Sequence, residues 1–145
     1  MSNQESSKVG MSETRIGIDA PMVVSQIASN CLYCGFFGRL DSARIKSVTD
    51  KMLGTVELSN ATMVIIDLSN VEIIDSAVAA HLVKVGTALK LIGVTVVFCG
   101  IKSIVAQTMA ALGVEFDKFI VARNLHTALQ NVYAKSGLKL VEVDH

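Results

Sequence analysis

The chain has 145 residues, and its 13 Lys and Arg residues balance 13 Asp and Glu residues, which leaves no net charge. This length predicts one domain, and the balanced charge gives no electrostatic footprint for nucleic acid or an anionic membrane. Hydrophobic residues make up 51% of the chain and aromatic residues only 5%. An aliphatic composition of this kind favours an α/β domain whose central strands are covered on both faces.

Neither a membrane span nor a secretion signal is predicted. The longest apolar window, 91–101, is too short to cross a bilayer, and the polar N-terminus lacks the apolar stretch of a signal peptide. We therefore expect a soluble cytoplasmic protein. Residues 1–15 are rich in Ser, Glu and Lys and predict a flexible tail, with one domain over 16–137.

Strand and helix patterns alternate after an initial hairpin. The runs MVVSQIA and CLYCGFFG flank Ser29–Asn30, which predicts two antiparallel strands. Three further strands, each preceded and followed by a helical pattern, then complete the order ββαβαβαβα. This order predicts an α/β fold with a mainly parallel sheet, one N-terminal antiparallel hairpin and about four helices. Residues 138–145 alternate and predict either an extra edge strand or a tail.

The helix predicted over 75–92 has a regular apolar stripe, and Gly93 follows as its stop signal. Its stripe is formed by Val78, Leu82, Val85, Leu89 and Ile92. A helix before it, beginning near residue 41, takes Asp41 or Ser42 as its cap, and Asn124 is expected to cap the last helix.

The pair Cys31 and Cys34 forms a C-x-x-C motif, which can indicate zinc or redox chemistry. No second Cys or His pair completes four ligands. The motif lies in a predicted strand, where side chains three residues apart point to opposite faces. We therefore interpret both cysteines as structural and predict no metal site.

Catalytic motifs are absent from the sequence. It has no phosphate-binding glycine loop, no H-E-x-x-H and no G-x-S-x-G around Ser76. His81 lies five residues after Ser76 on one predicted helix, too far along the axis to serve as its base. We expect no enzyme and no cofactor, with His81 partly buried and His126 on the surface.

The segment Ile73-Ile74-Asp75-Ser76 places two capping residues at one helix start. If Asp75 is the cap, Ser76 is the first helical residue and its hydroxyl is not needed; if Ser76 is the cap, its oxygen accepts a backbone N–H. Packing of Ile74 favours the first alternative. A phosphate on Ser76 would meet free N–H groups and the positive end of the helix dipole.

The segment VIIDLSNVEIIDSAVAAHL, residues 64–82, resembles the signature of STAS domains, the fold of the bacterial anti-sigma factor antagonists. The likeness runs from about residue 21 to 133, and the segments GRLDSAR and LKLIGVTVVFCGIKSIVAQTMAALGV look closest to stressosome scaffold proteins. The resemblance implies that a partner serine kinase phosphorylates Ser76 and thereby changes partner binding. It also raises Thr108 as a second phosphorylation site, although Thr108 can equally be a helix-interior residue.

The resemblance and the strand pattern together predict a partner-binding surface near the carboxyl end of the sheet. We place Asp41, Asp75, Ala79 and Lys102 on it with Ser76, although Asp41 can be only a helix cap and Lys102 only a solvated charge. The implied partners are a switch or anti-sigma serine kinase and other STAS subunits, in a homo- or hetero-oligomer. Binding of a small nucleotide or lipid ligand is the alternative function.

Overall fold

A computed structural model describes residues 22–113 and 117–144. Its elements follow the predicted order ββαβαβαβα, which is thereby confirmed. The strands are β1 Met22–Ala28, β2 Cys31–Gly38, β3 Met63–Val71, β4 Thr95–Cys99 and β5 Ile120–Ala122; the helices are α1 Ser42–Leu58, α2 Ser76–Leu91, α3 Ser103–Ala111 and α4 Leu125–Lys135. The tail predicted over 1–15 lies outside the described residues, and 138–144 form no strand.

The five strands form one sheet in the order β1-β2-β3-β4-β5. β1 and β2 are antiparallel, as the predicted hairpin requires, and every other neighbouring pair is parallel. Because the carboxyl ends of parallel strands meet at one edge of a sheet, all four helices begin near that edge. No helix in the described ranges is long and apolar enough to cross a membrane.

The sheet separates two apolar cores of unequal size. The larger one lies between the sheet and α1, α2 and α3, and the smaller one lies under α4 alone. Alternate residues of one strand enter different cores, as the period of a β-strand requires: Val64 and Ile66 face the larger core, whereas Ile65 faces the smaller.

The stripe predicted for α2 is confirmed over most of its length. Val78, Leu82, Val85 and Leu89 are buried, but Ile92 is 58% exposed, so its predicted burial is wrong. Since α2 ends at Leu91 and Ile92 is the C-cap, the helical period no longer sets the direction of that side chain.

His81 connects α2 to α1. The hydroxyl of the buried Thr49 donates to the carbonyl of Lys46 at 3.0 Å, so its oxygen accepts from Nε2 of His81 at 2.9 Å. His81 is half-buried and His126 is exposed, as the sequence predicts.

The two cysteines of the C-x-x-C motif lie on opposite faces of β2, in different cores. Burial raises the pKa of Cys31 to about 11 and that of Cys34 to about 12. Cys99 is buried as well, and burial, followed by the charge of Asp67, raises its pKa to about 12. A thiol held neutral and buried is a poor nucleophile.

We therefore expect all three cysteines of the folded protein to resist a thiol reagent at neutral pH. Titration with a chromophoric disulfide before and after denaturation measures this, and three equivalents should react only after unfolding. Rapid reaction of even one thiol in the native protein would contradict the structural interpretation of the motif.

Candidate functional site

The carboxyl edge of the sheet brings together the residues at which the helices start. Asp75 is the N-cap of α2, with extended backbone angles, and its Oδ1 accepts from the backbone N–H of Val78 at 2.8 Å. Ser76 is therefore the first helical residue and does not cap the helix. Of the two arrangements that the sequence leaves open, the structure shows the one in which Asp75 caps.

The Ser76 side chain is exposed. Within the described part of the chain its hydroxyl makes no hydrogen bond, because the capping position is taken by Asp75. The first turn of a helix has backbone N–H groups without intrahelical acceptors. The hydroxyl is thus accessible for modification and lies where an anion is favoured.

The start of α1 repeats the same local arrangement. Asp41 is its N-cap, with Oδ1 accepting from the Arg44 N–H at 3.0 Å, and Ser42 is the first helical residue and exposed. Its surroundings are more basic, because Arg44 Nε lies 4.0 Å from Asp41 Oδ2. Cap geometry alone therefore does not distinguish Ser76 from Ser42, and Ser42 offers a matched control.

Asp41 and Asp75 line one groove of about 240 Å³ between the starts of α1 and α2. We call it the Asp41–Asp75 groove. Its remaining walls are formed by Arg39, Leu40, Ile73 and Ile74. Ile73 is half-exposed, so the groove presents two carboxylates and the basic Arg39 beside an accessible apolar side chain.

Ala79 does not belong to this surface. Its side chain is fully buried in the larger core, so it cannot contact a partner directly as predicted. Lys102 is exposed and lies at the start of α3, after the neighbouring strand β4, where it provides no side-chain cap. Thr108 is inside α3, half-buried, and its hydroxyl donates to the Ile104 carbonyl at 3.3 Å.

A buried polar cluster in the middle of β3 was not predicted from the sequence. Asp67 is nearly inaccessible and accepts hydrogen bonds from Tyr33 Oη at 2.6 Å, from the Ser69 N–H at 2.9 Å and from the Ser69 hydroxyl. The ladder between β2 and β3 shifts register here, so Gly35 pairs with Asp67 but Phe37 with Asn70. The Asp67 carboxylate thus satisfies the Ser69 N–H at this irregularity.

Opposing effects act on the ionisation of Asp67. Burial raises the pKa of its carboxyl, but the hydrogen bonds from Ser69, Tyr33 and Cys99 outweigh burial and lower the pKa below its ordinary value. Conversely, burial and the hydrogen bond to Asp67 raise the pKa of Tyr33. The cluster therefore contains a carboxylate and a neutral phenol.

Two glycines make room for this cluster. A Cβ on Gly35 would lie 2.6 Å from the Tyr33 hydroxyl, because the Tyr33 ring lies over Gly35 and its hydroxyl bonds to Asp67. Gly100 has φ +71°, and a Cβ there would lie 2.8 Å from the Ser69 backbone nitrogen. The sequence features that could have indicated the cluster are two polar residues within otherwise apolar strands, Tyr33 in β2 and Asp67 in β3.

Substitution at Asp75 separates its capping role from its charge. Asp75→Ala removes the acceptor for Val78 N–H and is expected to lower the free energy of unfolding by about 1 kcal/mol, whereas Asp75→Asn retains a capping oxygen and should change it by only a few tenths. Chemical denaturation measures both, with Asp41→Ala as the matched cap deletion in α1. Equal destabilisation by the Ala and Asn variants would contradict the capping role.

Comparison with known proteins gives a family match over most of the chain. A family model described as STAS domain matches residues 23–128. RsbT co-antagonist protein RsbRA of Bacillus subtilis (strain 168) is 25% identical over 126 residues, which cover 87% of this chain and 45% of that protein. The chain thus spans less than half the length of this curated relative.

Solved structures show the same fold. RsbS of Moorella thermoacetica superposes with a TM-score of 0.71 at 20% identity, covering 81% of this chain and 98% of that one. A chain from a structure titled as the molecular architecture of the stressosome gives a TM-score of 0.64 at 20% identity, covering 78% and 97%. The structures confirm the fold, and the family model confirms the resemblance to STAS domains that residues 64–82 indicate.

Proposed function

Because this chain belongs to the STAS domain family, we propose that it is a non-catalytic signalling module of the anti-sigma factor antagonist or stressosome type. A partner serine kinase phosphorylates Ser76 in the cytoplasm, and the phosphate switches binding to that kinase or to other STAS subunits. The observation that carries the proposal is the exposed Ser76 hydroxyl at the first position of α2, released from capping by Asp75.

The site can accept a phosphate without unfolding. Free N–H groups in the first turn and the helix dipole favour an anion there by roughly 0.3–1 kcal/mol when it is exposed. Since Ser76 is exposed, the added group extends into solvent and does not enter the core. The fold therefore tolerates the modification that alters its surface.

The same phosphate changes what the surface can bind. It adds about −1.5 to −2 charges next to Asp75, at the rim of a groove that already contains Asp41. A partner that docks against the half-exposed Ile73 must then bury or approach this charge. An apolar or acidic partner surface loses affinity, because desolvation and like-charge repulsion both oppose docking.

Among the predicted contact residues, Asp41 and Asp75 are supported by their shared groove. Lys102 is supported only by its exposure at the same edge of the sheet. For Thr108, the bond to the Ile104 carbonyl must break before phosphate can be added. We therefore propose Ser76 as the principal site and Thr108 as a secondary one.

Phosphate incorporation tests the assignment. The kinase that co-purifies with the tagged chain, supplied with ATP, should phosphorylate Ser76 in the wild type and in Ser42→Ala, and Ser76→Ala should carry one phosphate fewer than either. Mass spectrometry of the intact chains measures this. Undiminished labelling of Ser76→Ala would show that the phosphorylated residue lies elsewhere, and its loss in Ser42→Ala alone would move the site to α1.

A further inference from the structure

The strand β3, which leads to Ser76, contains a bulge. Between its pairing residues Asp67 and Asn70, β3 has two residues, Leu68 and Ser69, where β2 has one. A bulge adds one unpaired residue to a strand and bends it. The ladder from β3 to β4 ends at Asp67, so within the described chain β2 alone guides β3 beyond the bulge.

The bulge reverses which residues of β3 face the larger core. Ile66 and Leu68 face that core before the bulge, and Val71 faces it afterwards. Asn70 would point into the core if the alternation of a regular strand continued, but it is exposed. The bulge has therefore shifted the alternation by one residue, which moves the following side chains of the strand to the other face.

The direction set by the bulge reaches the proposed phosphorylation site through the short connection between β3 and α2. Ile74 is buried in the larger core, whereas Ile73 is half-exposed on the wall of the Asp41–Asp75 groove. Asp75 then caps α2, and Ser76 is exposed. Without the shift, the connection would enter α2 one residue out of phase, and the groove wall and the serine would not be presented together.

Asp67 holds the bulge in place. Its Oδ1 accepts from the Ser69 N–H at 2.9 Å and from the Ser69 hydroxyl, and its Oδ2 accepts from Tyr33 Oη at 2.6 Å. The backbone of Gly100 lies against the same bulge, since a Cβ there would overlap the Ser69 hydroxyl and lie 2.8 Å from the Ser69 nitrogen. The bulged residue is thus enclosed between a buried carboxylate and the Gly100 backbone.

We propose that Asp67 is a positioning residue for the phosphorylation of Ser76. It holds the bulge, and the bulge sets the direction of residues 70–75, which present the serine to the kinase. Asp67 acts through the backbone, because its side chain bonds to Ser69 and Tyr33 and not to the serine. The inference rests on the proposed function, and it assigns the buried cluster a role in that function beyond stability.

The rate of phosphorylation at Ser76 tests this role. With the co-purifying kinase and ATP, Asp67→Ala should lower kcat/KM for Ser76 by about tenfold or more, since a displacement of roughly 1 Å can cost about 10²-fold. Asp67→Asn keeps an oxygen that accepts from the Ser69 N–H and should recover most of that loss. Tyr33→Phe, which leaves the Ser69 N–H bonded, should be phosphorylated at the wild-type rate.

Val56→Ala controls for a general loss of stability. Val56 is buried in the last turn of α1, at the opposite edge of the sheet, so its truncation destabilises the core away from the bulge. At a temperature where circular dichroism shows every variant to be folded, Val56→Ala should be phosphorylated as the wild type is. Equal slowing by Val56→Ala and Asp67→Ala, or an unchanged kcat/KM in Asp67→Ala, overturns the inference.

Amide hydrogen exchange, which needs no kinase, separates this inference from the proposed function. Asp67→Ala should speed exchange over residues 69–78 by a larger factor than over α4, and Asp67→Asn should not. If the wild type carries no phosphate on Ser76 after kinase treatment, the proposed function fails and the positioning role fails with it. If Ser76 is phosphorylated but Asp67→Ala speeds exchange equally in both regions, the positioning role alone fails.

Discussion

Replacing Asp67 by alanine is expected to lower the free energy of unfolding by about 2–4 kcal/mol, since each unsatisfied buried donor costs about 1–3 kcal/mol. The substitution leaves the Tyr33 hydroxyl, the Ser69 N–H and the Ser69 hydroxyl without their common acceptor. Denaturant unfolding monitored by circular dichroism measures the loss.

Tyr33→Phe is the graded control for this prediction. It removes one donor and retains the ring, so it should lower the free energy of unfolding by only about 1 kcal/mol. A loss of 0.5 kcal/mol or less for Asp67→Ala, roughly the size of an ordinary surface substitution, would show that the cluster does not stabilise the fold.

The pH dependence of stability follows from the lowered pKa of Asp67. A carboxyl whose pKa is lower in the folded than in the unfolded protein stabilises the fold above the unfolded value, about 3.9 for Asp. This stabilisation is lost as the pH falls through the folded value. The stability difference between wild type and Asp67→Asn should therefore be constant near neutral pH and become smaller on acidification. A difference that grows on acidification would contradict the sign of the shift.

Replacing Ser76 by aspartate is expected to weaken binding of the partner kinase by tenfold or more, because the added negative charge is repelled by an acidic surface and must be desolvated against an apolar one. Stability should change little, by about 0.5 kcal/mol at most, since a negative charge is favoured in the first turn of α2. Titration calorimetry with the kinase and thermal unfolding measure the two effects separately.

Ser47→Asp controls for the charge alone. Ser47 is exposed in the middle of α1, so this variant carries the same added charge away from the helix start. It should bind the kinase as the wild type does. Equal loss of affinity in both variants would attribute the effect to net charge and not to the Ser76 position.

Local sequence patterns predicted the order of strands and helices, because each strand or helix has its own hydrophobic period and is followed by turn-forming residues. Asp75 was identified as a cap from the residues around it, and the structure confirms this. The grouping of Asp41 with Asp75 followed from a topological rule, since parallel strands present their carboxyl ends at one edge. The first prediction depends only on residues close together in sequence, and the second only on the common direction of parallel strands.

The remaining features depend on contacts between distant parts of the chain. Ala79 adjoins the apolar stripe of α2, and only the packing of that helix in the larger core shows that so small a side chain is fully buried. Tyr33 and Asp67 meet because of the register between β2 and β3, in which Gly35 pairs with Asp67 and Tyr33 with Ile65. Hydrophobic periodicity assigns each strand residue to a face of the sheet, but it does not say which residues of two parallel strands distant in sequence lie side by side, so the buried cluster could not be found from it.

The proposed switch is tested most directly by the affinity of the phosphorylated protein itself. Wild type and Ser76→Ala are both treated with the kinase and ATP, and each is then titrated with fresh kinase and with a STAS-domain binding partner recovered with the tagged chain. We predict that phosphorylation changes the dissociation constant of the wild type for at least one of these partners by tenfold or more, which corresponds to about 1.4 kcal/mol. The dissociation constants of Ser76→Ala should be unchanged by the treatment. Equal affinities for both partners before and after stoichiometric phosphorylation of Ser76 would contradict the account.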